Sequence, residues 1–316
     1  MSGVWLPILY ALFVWWFSTG AILLLVGRSP RTYPWTMGLA TVALVAALAA
    51  LNVTANQATV AGAFCAFTCA LIVWAWHETS FLLGYITGPR RVPCPPDVSG
   101  PRRFVIASQT VIHHEIVLAL TLPLLVIVTW GGANQVGVWT FAVLWLMRLS
   151  AKFNIFLGVS KVTEEFLPKH LAYLKSYFRK ARFNWLLPVT FTISSLATWQ
   201  LALVALDPAS SAYHVAAYAL IGTLLALALV EHLFFVLPVP DAALWRWAYR
   251  PEEAAVLAAA RHRTGTSGNP SDPGPPGPMP PGADPTNRAS FQLTPTRPLT
   301  PPSVLKNTAP ASAWLR

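Results

Sequence analysis

Seven apolar stretches, each near or above the length of a membrane-crossing helix, fill roughly the first 240 residues of this chain. They run about Trp5 to Val26, Trp35 to Val53, Gln57 to Thr87, Phe104 to Trp130, Gln135 to Val159, Trp185 to Leu206 and Ala212 to Leu237. About 20 apolar residues in a helix cross a hydrocarbon core of ~30 Å. A backbone in lipid has no water to bond, so each crossing must satisfy its own N–H and C=O groups, which a helix does. The composition agrees. Only 11% of the 316 residues are charged, against about 25% in a soluble domain. The 14 Trp suit aromatic belts at two interfaces. The fold class is therefore all-α, a polytopic membrane protein of about seven transmembrane helices.

The basic residues set an orientation. Arg28 and Arg31, then Arg90, Arg91, Arg102 and Arg103, then Lys161, Lys169, Lys175, Arg179, Lys180 and Arg182 occupy alternate loops, and the loops near Asn56, Gly132 and Asp207 carry no Lys or Arg. The positive-inside rule puts the N-terminus outside and the C-terminus in the cytoplasm. The net charge of +10 thus belongs to topology and anionic lipid headgroups, and implies no nucleic acid. Three cysteines give no disulfide framework.

Two further segments are expected at the interface. Residues 164–180 and about 241–260 mix apolar and basic residues at helical spacing, as amphipathic interfacial helices do. Beyond them the composition changes: 13 of the 28 prolines lie between Pro270 and Pro310. The domain reading is a membrane bundle over residues 1–262 and a disordered Pro-rich cytoplasmic tail over 263–316.

Ionisable residues inside apolar spans are costly and point to partners or polar cavities. This chain has His77-Glu78 in the third span, His113-His114-Glu115 in the fourth, Arg148 and Lys152 in the fifth, and Glu231-His232 in the seventh. Counted from Gly88, from Arg103 and from Pro238 at ~1.5 Å per residue, the acids and imidazoles fall about 10–18 Å deep, in one layer on the basic side. Glu164, Glu165 and His170 sit at its mouth, and Asn154 lies close by on the fifth span.

Three readings fit. The layer is a structural polar network neutralised by Arg148 and Lys152. Or His77, Glu78, His113, His114, Glu115, Glu231 and His232 hold one or two metal ions, with iron favoured by the mixed carboxylate–imidazole set. Arg148, Lys152, Asn154, Glu164, Glu165 and His170 would then orient ligands or substrate. Adjacent His-Glu pairs, about 100° apart around a helix, are unlike the three-residue spacing of di-iron bundles. The third reading is a tetrapyrrole pocket with an axial histidine.

Four phrases stand out: His77-Glu-Thr-Ser-Phe-Leu-Leu-Gly-Tyr-Ile-Thr-Gly-Pro-Arg90, Phe153-Asn-Ile-Phe-Leu-Gly158, Glu165-Phe-Leu-Pro-Lys-His-Leu-Ala-Tyr-Leu-Lys-Ser-Tyr-Phe178 and Glu231-His-Leu-Phe234. They resemble the PuhE family, photosynthetic complex assembly proteins of purple phototrophic bacteria. The resemblance spans roughly residues 1–250 and implies a multi-pass protein of the bacterial cytoplasmic or intracytoplasmic photosynthetic membrane. It implies a role in reaction-centre assembly and bacteriochlorophyll production. Reaction-centre or light-harvesting subunits and bacteriochlorophyll enzymes are the implied partners besides lipid. It transfers no catalytic residue. The alternative function is a di-iron-type membrane oxidase or hydroxylase acting on a hydrophobic, tetrapyrrole-like substrate.

Overall fold

The structure, a computed structural model, describes residues 3–162, 167–237 and 241–248. The helices are α1 (Trp5–Val26), α2 (Tyr33–Thr54), α3 (Val60–Leu82), α4 (Gly100–Ser108), α5 (Ile112–Val128), α6 (Val136–Leu157), α7 (Leu186–Leu206) and α8 (Ala212–Leu233). Six are long and apolar enough to cross a membrane; α4 and α5 are so only together, bent at their junction, which makes seven if the pair is one span. Among the described residues there is no strand, only an isolated bridge between Val159 and Lys180.

Helix α3 is the hub and packs on α1, α2, α6 and α8. Its sequence explains this: Ala63, Ala66 and Ala70 are small enough for close helix approach, and all three are buried, together with Phe67 and Val73. Outer helices instead present apolar side chains outward, such as Leu39, Trp139 and Ile193. The end away from the basic loops is pinned by Asn134. Its backbone N–H donates to Ala55 O at 2.8 Å and its amide donates to Thr54 O and Gly62 O at 3.2 and 3.0 Å. Its side-chain oxygen accepts from Val136 N and the Tyr213 hydroxyl, each at 3.3 Å.

The third span is shorter than the apolar run suggests. Helix α3 stops at Leu82 in a glycine-terminated turn: Gly84 takes φ +84°, its N–H donates to Phe81 O, and Tyr85 N–H reaches back to Ser80 O, both at 2.9 Å. That 6→1 and 5→2 pairing satisfies the last carbonyls and reverses the chain. Residues 83–90 therefore leave the helix.

The apolar run expected as the fourth span is bent. Helices α4 and α5 meet at 68° across residues 109–111. The freed backbone groups find partners in the turn after α3: Arg90 N–H donates to Gln109 O at 3.2 Å, and His114 N–H donates to Thr87 O at 3.0 Å. Gly88 permits this approach, since a Cβ there would stand 2.6 Å from the Thr110 carbonyl carbon and run into Gln109 O.

Within the described residues, the interfacial segments are 3-10 runs rather than α-helices. Lys169–Tyr177 is a 3-10 run that buries Leu171, Leu174 and Tyr177. A three-residue period replaces the expected 3.6 because 3-10 side chains at i and i+3 eclipse. The run caps the basic end. Arg90 Nε donates to the Tyr177 hydroxyl at 2.7 Å, the hydroxyl donates to Val92 O at 2.9 Å, and Arg103 Nη2 donates to Tyr177 O at 2.6 Å. Asp241–Ala248 is a second 3-10 run. It lies on α1, where Trp245 Nε1 donates to Trp16 O and Trp16 Nε1 donates to Leu244 O. The remainder of the expected second interfacial helix, and the Pro-rich tail over 263–316, lie outside the described residues.

Candidate functional site: a buried acid–base layer

Because α3 ends at Leu82, His77 and Glu78 lie only about 6–8 Å from its end at ~1.5 Å per residue, rather than the ~15 Å counted from Gly88. Because α5 starts at Ile112, His113, His114 and Glu115 occupy its first turn. A carboxylate there is favoured by the helix dipole. The break and the glycine turn together carry both acid–imidazole groups to the same level near the basic end.

Two ion pairs and a phenyl ring form the centre. Arg148 Nη2 on α6 donates to Glu78 Oε2 at 3.2 Å. Glu78 Oε1 lies 3.9 Å from His114 Nε2, too far for a hydrogen bond. Lys152, one turn beyond Arg148, donates to Glu115 Oε1. The Phe81 ring sits between them, 4.7 Å from the His114 ring and 5.8 Å from Lys152 Nζ. Glu78 is 10% exposed by side chain and His114 1%, but Arg148 is 45% exposed. The layer is thus closed on the α3 side and open at Arg148. The charge of Glu231 on α8, which is exposed, also acts on Arg148.

Two neighbouring sets use neutral partners. His77 Nε2 pairs with the Thr121 hydroxyl at 3.0 Å. His232 pairs through Nε2 with the Ser150 hydroxyl at 3.2 Å, and its Nδ1 donates to Ala228 O at 2.8 Å, which fixes its tautomer. Ser150 continues to Thr190 at 3.0 Å, and the Asn154 amide donates to Ser150 O at 3.0 Å.

Among the described residues, four polar atoms in the centre are buried with no hydrogen-bond partner: His77 Nδ1, Glu78 Oε1, and both ring nitrogens of His114. Buried polar atoms are paired in the great majority of cases, so four in one cluster mark the place where this fold carries unmet polar demand.

Of the candidates that the sequence brings forward, Glu78 pairs with Arg148 and lies near His114, Glu115 pairs with Lys152, His77 bonds Thr121, and Asn154 and His232 join through Ser150. His113 is exposed. His170 bonds Leu82 O at 2.9 Å and helps to cap α3. Glu164 and Glu165 lie outside the described residues. Among the described residues, no three His, Cys, Asp or Glu side chains are gathered so that they could hold a metal ion. Arg148, Lys152, Thr121 and Ser150 engage part of the donor set, and among the described residues His77 Nδ1, Glu78 Oε1 and both His114 nitrogens have no hydrogen-bond partner. A search for charge inside apolar spans misses Phe81, Thr121, Ser150 and Thr190. The hydroxyls among them sit in apolar spans, where hydropathy does not set them apart.

Fold and site define a polytopic helical membrane protein with a buried acid–base layer at its basic end. The chain belongs to the DUF3623 family, described as a protein of unknown function, whose match covers residues 1–256. It is 43% identical over 253 residues to a Rhodobacter capsulatus protein described as an uncharacterized 30.4 kDa protein in the puhA 5′ region. The match covers 78% of this chain and 91% of that relative. No solved structure matches the chain.

Proposed function

We propose that this chain acts as a PuhE-type factor of the inner membrane, in photosynthetic complex assembly and bacteriochlorophyll production. The observation that carries the reading is the near full-length similarity to a protein of the puhA region. The photosynthetic membrane is its proposed location. Reaction-centre or light-harvesting subunits, with bacteriochlorophyll enzymes, are its proposed partners.

In this reading the acid–base layer is the working part. A membrane helix protein gains most of its stability from close packing, and polar groups between helices contribute only modestly. A layer with four unpartnered buried atoms is therefore poor as glue and suited to receiving something polar from a partner or pigment through the side left open at Arg148. The assembly factor is the reading we put forward, on the similarity to a protein of the puhA region.

The experiment is deletion of the gene in a phototrophic host, with complementation by the wild-type chain and by Glu78→Gln. Near-infrared absorption of isolated membranes is the readout. The expected result is loss of reaction-centre and antenna bands on deletion, recovery with wild type, and incomplete recovery with Glu78→Gln. Unchanged bands after deletion would sink the proposal.

A further inference from the structure

The end of the bundle away from the basic loops holds a second feature, separate from the acid–base layer. Helix α7 packs along α8 and touches α6 only slightly. The gap is a lateral cavity of about 610 Å³, lined by fifteen residues. None of them is Asp, Glu, Lys or Arg. Its inner wall is apolar, built by Ala217, Ile221 and Leu225 of α8 and by Val143 of α6. Trp139, 62% exposed, forms one side of it.

Polar groups gather at one level of this cavity. Gln200 lies six residues before the end of α7, and Tyr218 six residues after the start of α8, so both stand about 9 Å below the helix ends. His214 lies one turn above Tyr218, with ring centroids 6.0 Å apart. Its Nδ1 pairs with Ser211 Oγ at 3.2 Å. Among the described residues, neither the Gln200 amide nor the Tyr218 hydroxyl has a hydrogen-bond partner. An amide exposed at this depth in a spanning helix is costly unless something polar meets it.

We infer that this groove binds a neutral, planar-headed isoprenoid of the quinone type. The head would lie among Trp139, His214 and Tyr218, its carbonyl oxygens accepting from the Tyr218 hydroxyl and the Gln200 amide. The tail would follow the apolar wall toward Leu225. Charge selects the class. A phospholipid phosphate would stand here without a cation, and the loops at this end supply none. A quinone head carries two acceptors and no charge, and it matches donors that are unpartnered. A volume of this size falls within the range of small-molecule sites.

The test uses the full chain purified in mild detergent. Its organic extract is analysed for quinone and phospholipid, and binding of decylubiquinone is measured by calorimetry. The expected results are co-purifying quinone near one per chain, and saturable decylubiquinone binding. Gln200→Leu and Tyr218→Phe should each weaken it by roughly tenfold, the scale of one lost hydrogen bond. Ala197→Phe, which fills the groove from α7, should abolish it. Circular dichroism and gel filtration of each variant verify folding, and a misfolded variant is replaced by Gln200→Met or Ala197→Leu. Stoichiometric phospholipid in place of quinone, absence of saturable binding, or affinities unchanged in all three variants would overturn the inference. The outcome is independent of the acid–base layer, since no residue is shared.

Discussion

Glu78 and Arg148 stand 70 positions apart in sequence and meet at 3.2 Å across the α3–α6 contact. The carboxylate is enclosed and the guanidinium is 45% exposed. This asymmetry decides what each substitution does. Loss of one partner from a fully buried pair costs about 3–5 kcal/mol, because the other charge is stranded. Exposure of Arg148 screens the interaction, so Arg148→Met should destabilise by about 2 kcal/mol. Glu78→Gln strands only a partly solvated cation and should cost less, about 1 kcal/mol. Chemical unfolding in detergent would check both. The double variant should be more stable than the sum of the two losses implies, the sign of direct coupling. Strict additivity would mean that the pair is incidental.

Gly88 holds the turn after α3 against the bend between α4 and α5. A methyl group there meets Gln109 and Thr110 backbone, which cannot give way as a flexible side chain can. Gly88→Ala should lower stability by about 1–3 kcal/mol, the usual range for overpacking. Gly38 on α2 is the control. Nothing lies within 4 Å of a Cβ added there, and alanine is the better helix former by up to ~1 kcal/mol. Gly38→Ala should leave the melting temperature unchanged or raise it. A fall of similar size in both variants would show that the close approach at Gly88 is not what matters.

Glycines also mark the boundary of what is legible in the sequence. Apolar length alone reveals the crossings, because the bilayer dictates that pattern whatever the neighbours are. The end of α3 is harder to read. Gly84, two positions past Leu82, is its true stop signal. Gly88-Pro89 reads as the stronger one, because a left-handed turn leaves no mark on hydropathy. The bend at 109–111 is hidden for a related reason. It is held by the Arg90 N–H, which donates to Gln109 O, and by Thr87 O, which accepts from His114 N–H, both well earlier in the chain. That Arg148 and Lys152 neutralise the acids is foreseeable from charge, but which base meets which acid depends on how the spans pack. The partners of His77 and His232 are hydroxyls, which hydropathy does not distinguish from ordinary span residues.

Asn134 carries the opposite end of the bundle. Its side chain makes two donor bonds to backbone carbonyls and accepts two more, all within a site 2% exposed. Asn134→Leu removes these and leaves the Thr54 and Gly62 carbonyls without that donor. The expected cost is about 2–4 kcal/mol, from four lost hydrogen bonds at about 0.5–1.5 kcal/mol each, since the Thr54 carbonyl keeps the Gln57 N–H. Asn134→Asp keeps the acceptor and loses the amide donors, so it should also destabilise. Thermal melts of the purified chain are the measurement. A loss under about 0.5 kcal/mol, on the order of an ordinary surface substitution, would refute the role given to this residue.

His114 is the sharpest case for a residue retained at a cost. It is 1% exposed, neither ring nitrogen has a hydrogen-bond partner among the described residues, and the Glu78 carboxylate stands 3.9 Å away. Burying an unbonded polar ring is unfavourable by about 1–3 kcal/mol on mutational scales. The Phe81 ring already offers an apolar surface to whatever replaces it. His114→Leu should therefore fold at least as well as the wild type and raise the melting temperature by a few degrees. If the layer is the working part of an assembly factor, the same variant should fail to restore pigment–protein bands in a deletion strain. Higher stability with lost function is the pattern of a residue kept for its chemistry. Lower stability with lost function would instead make His114 a structural element, and full function with either stability would remove it from the site.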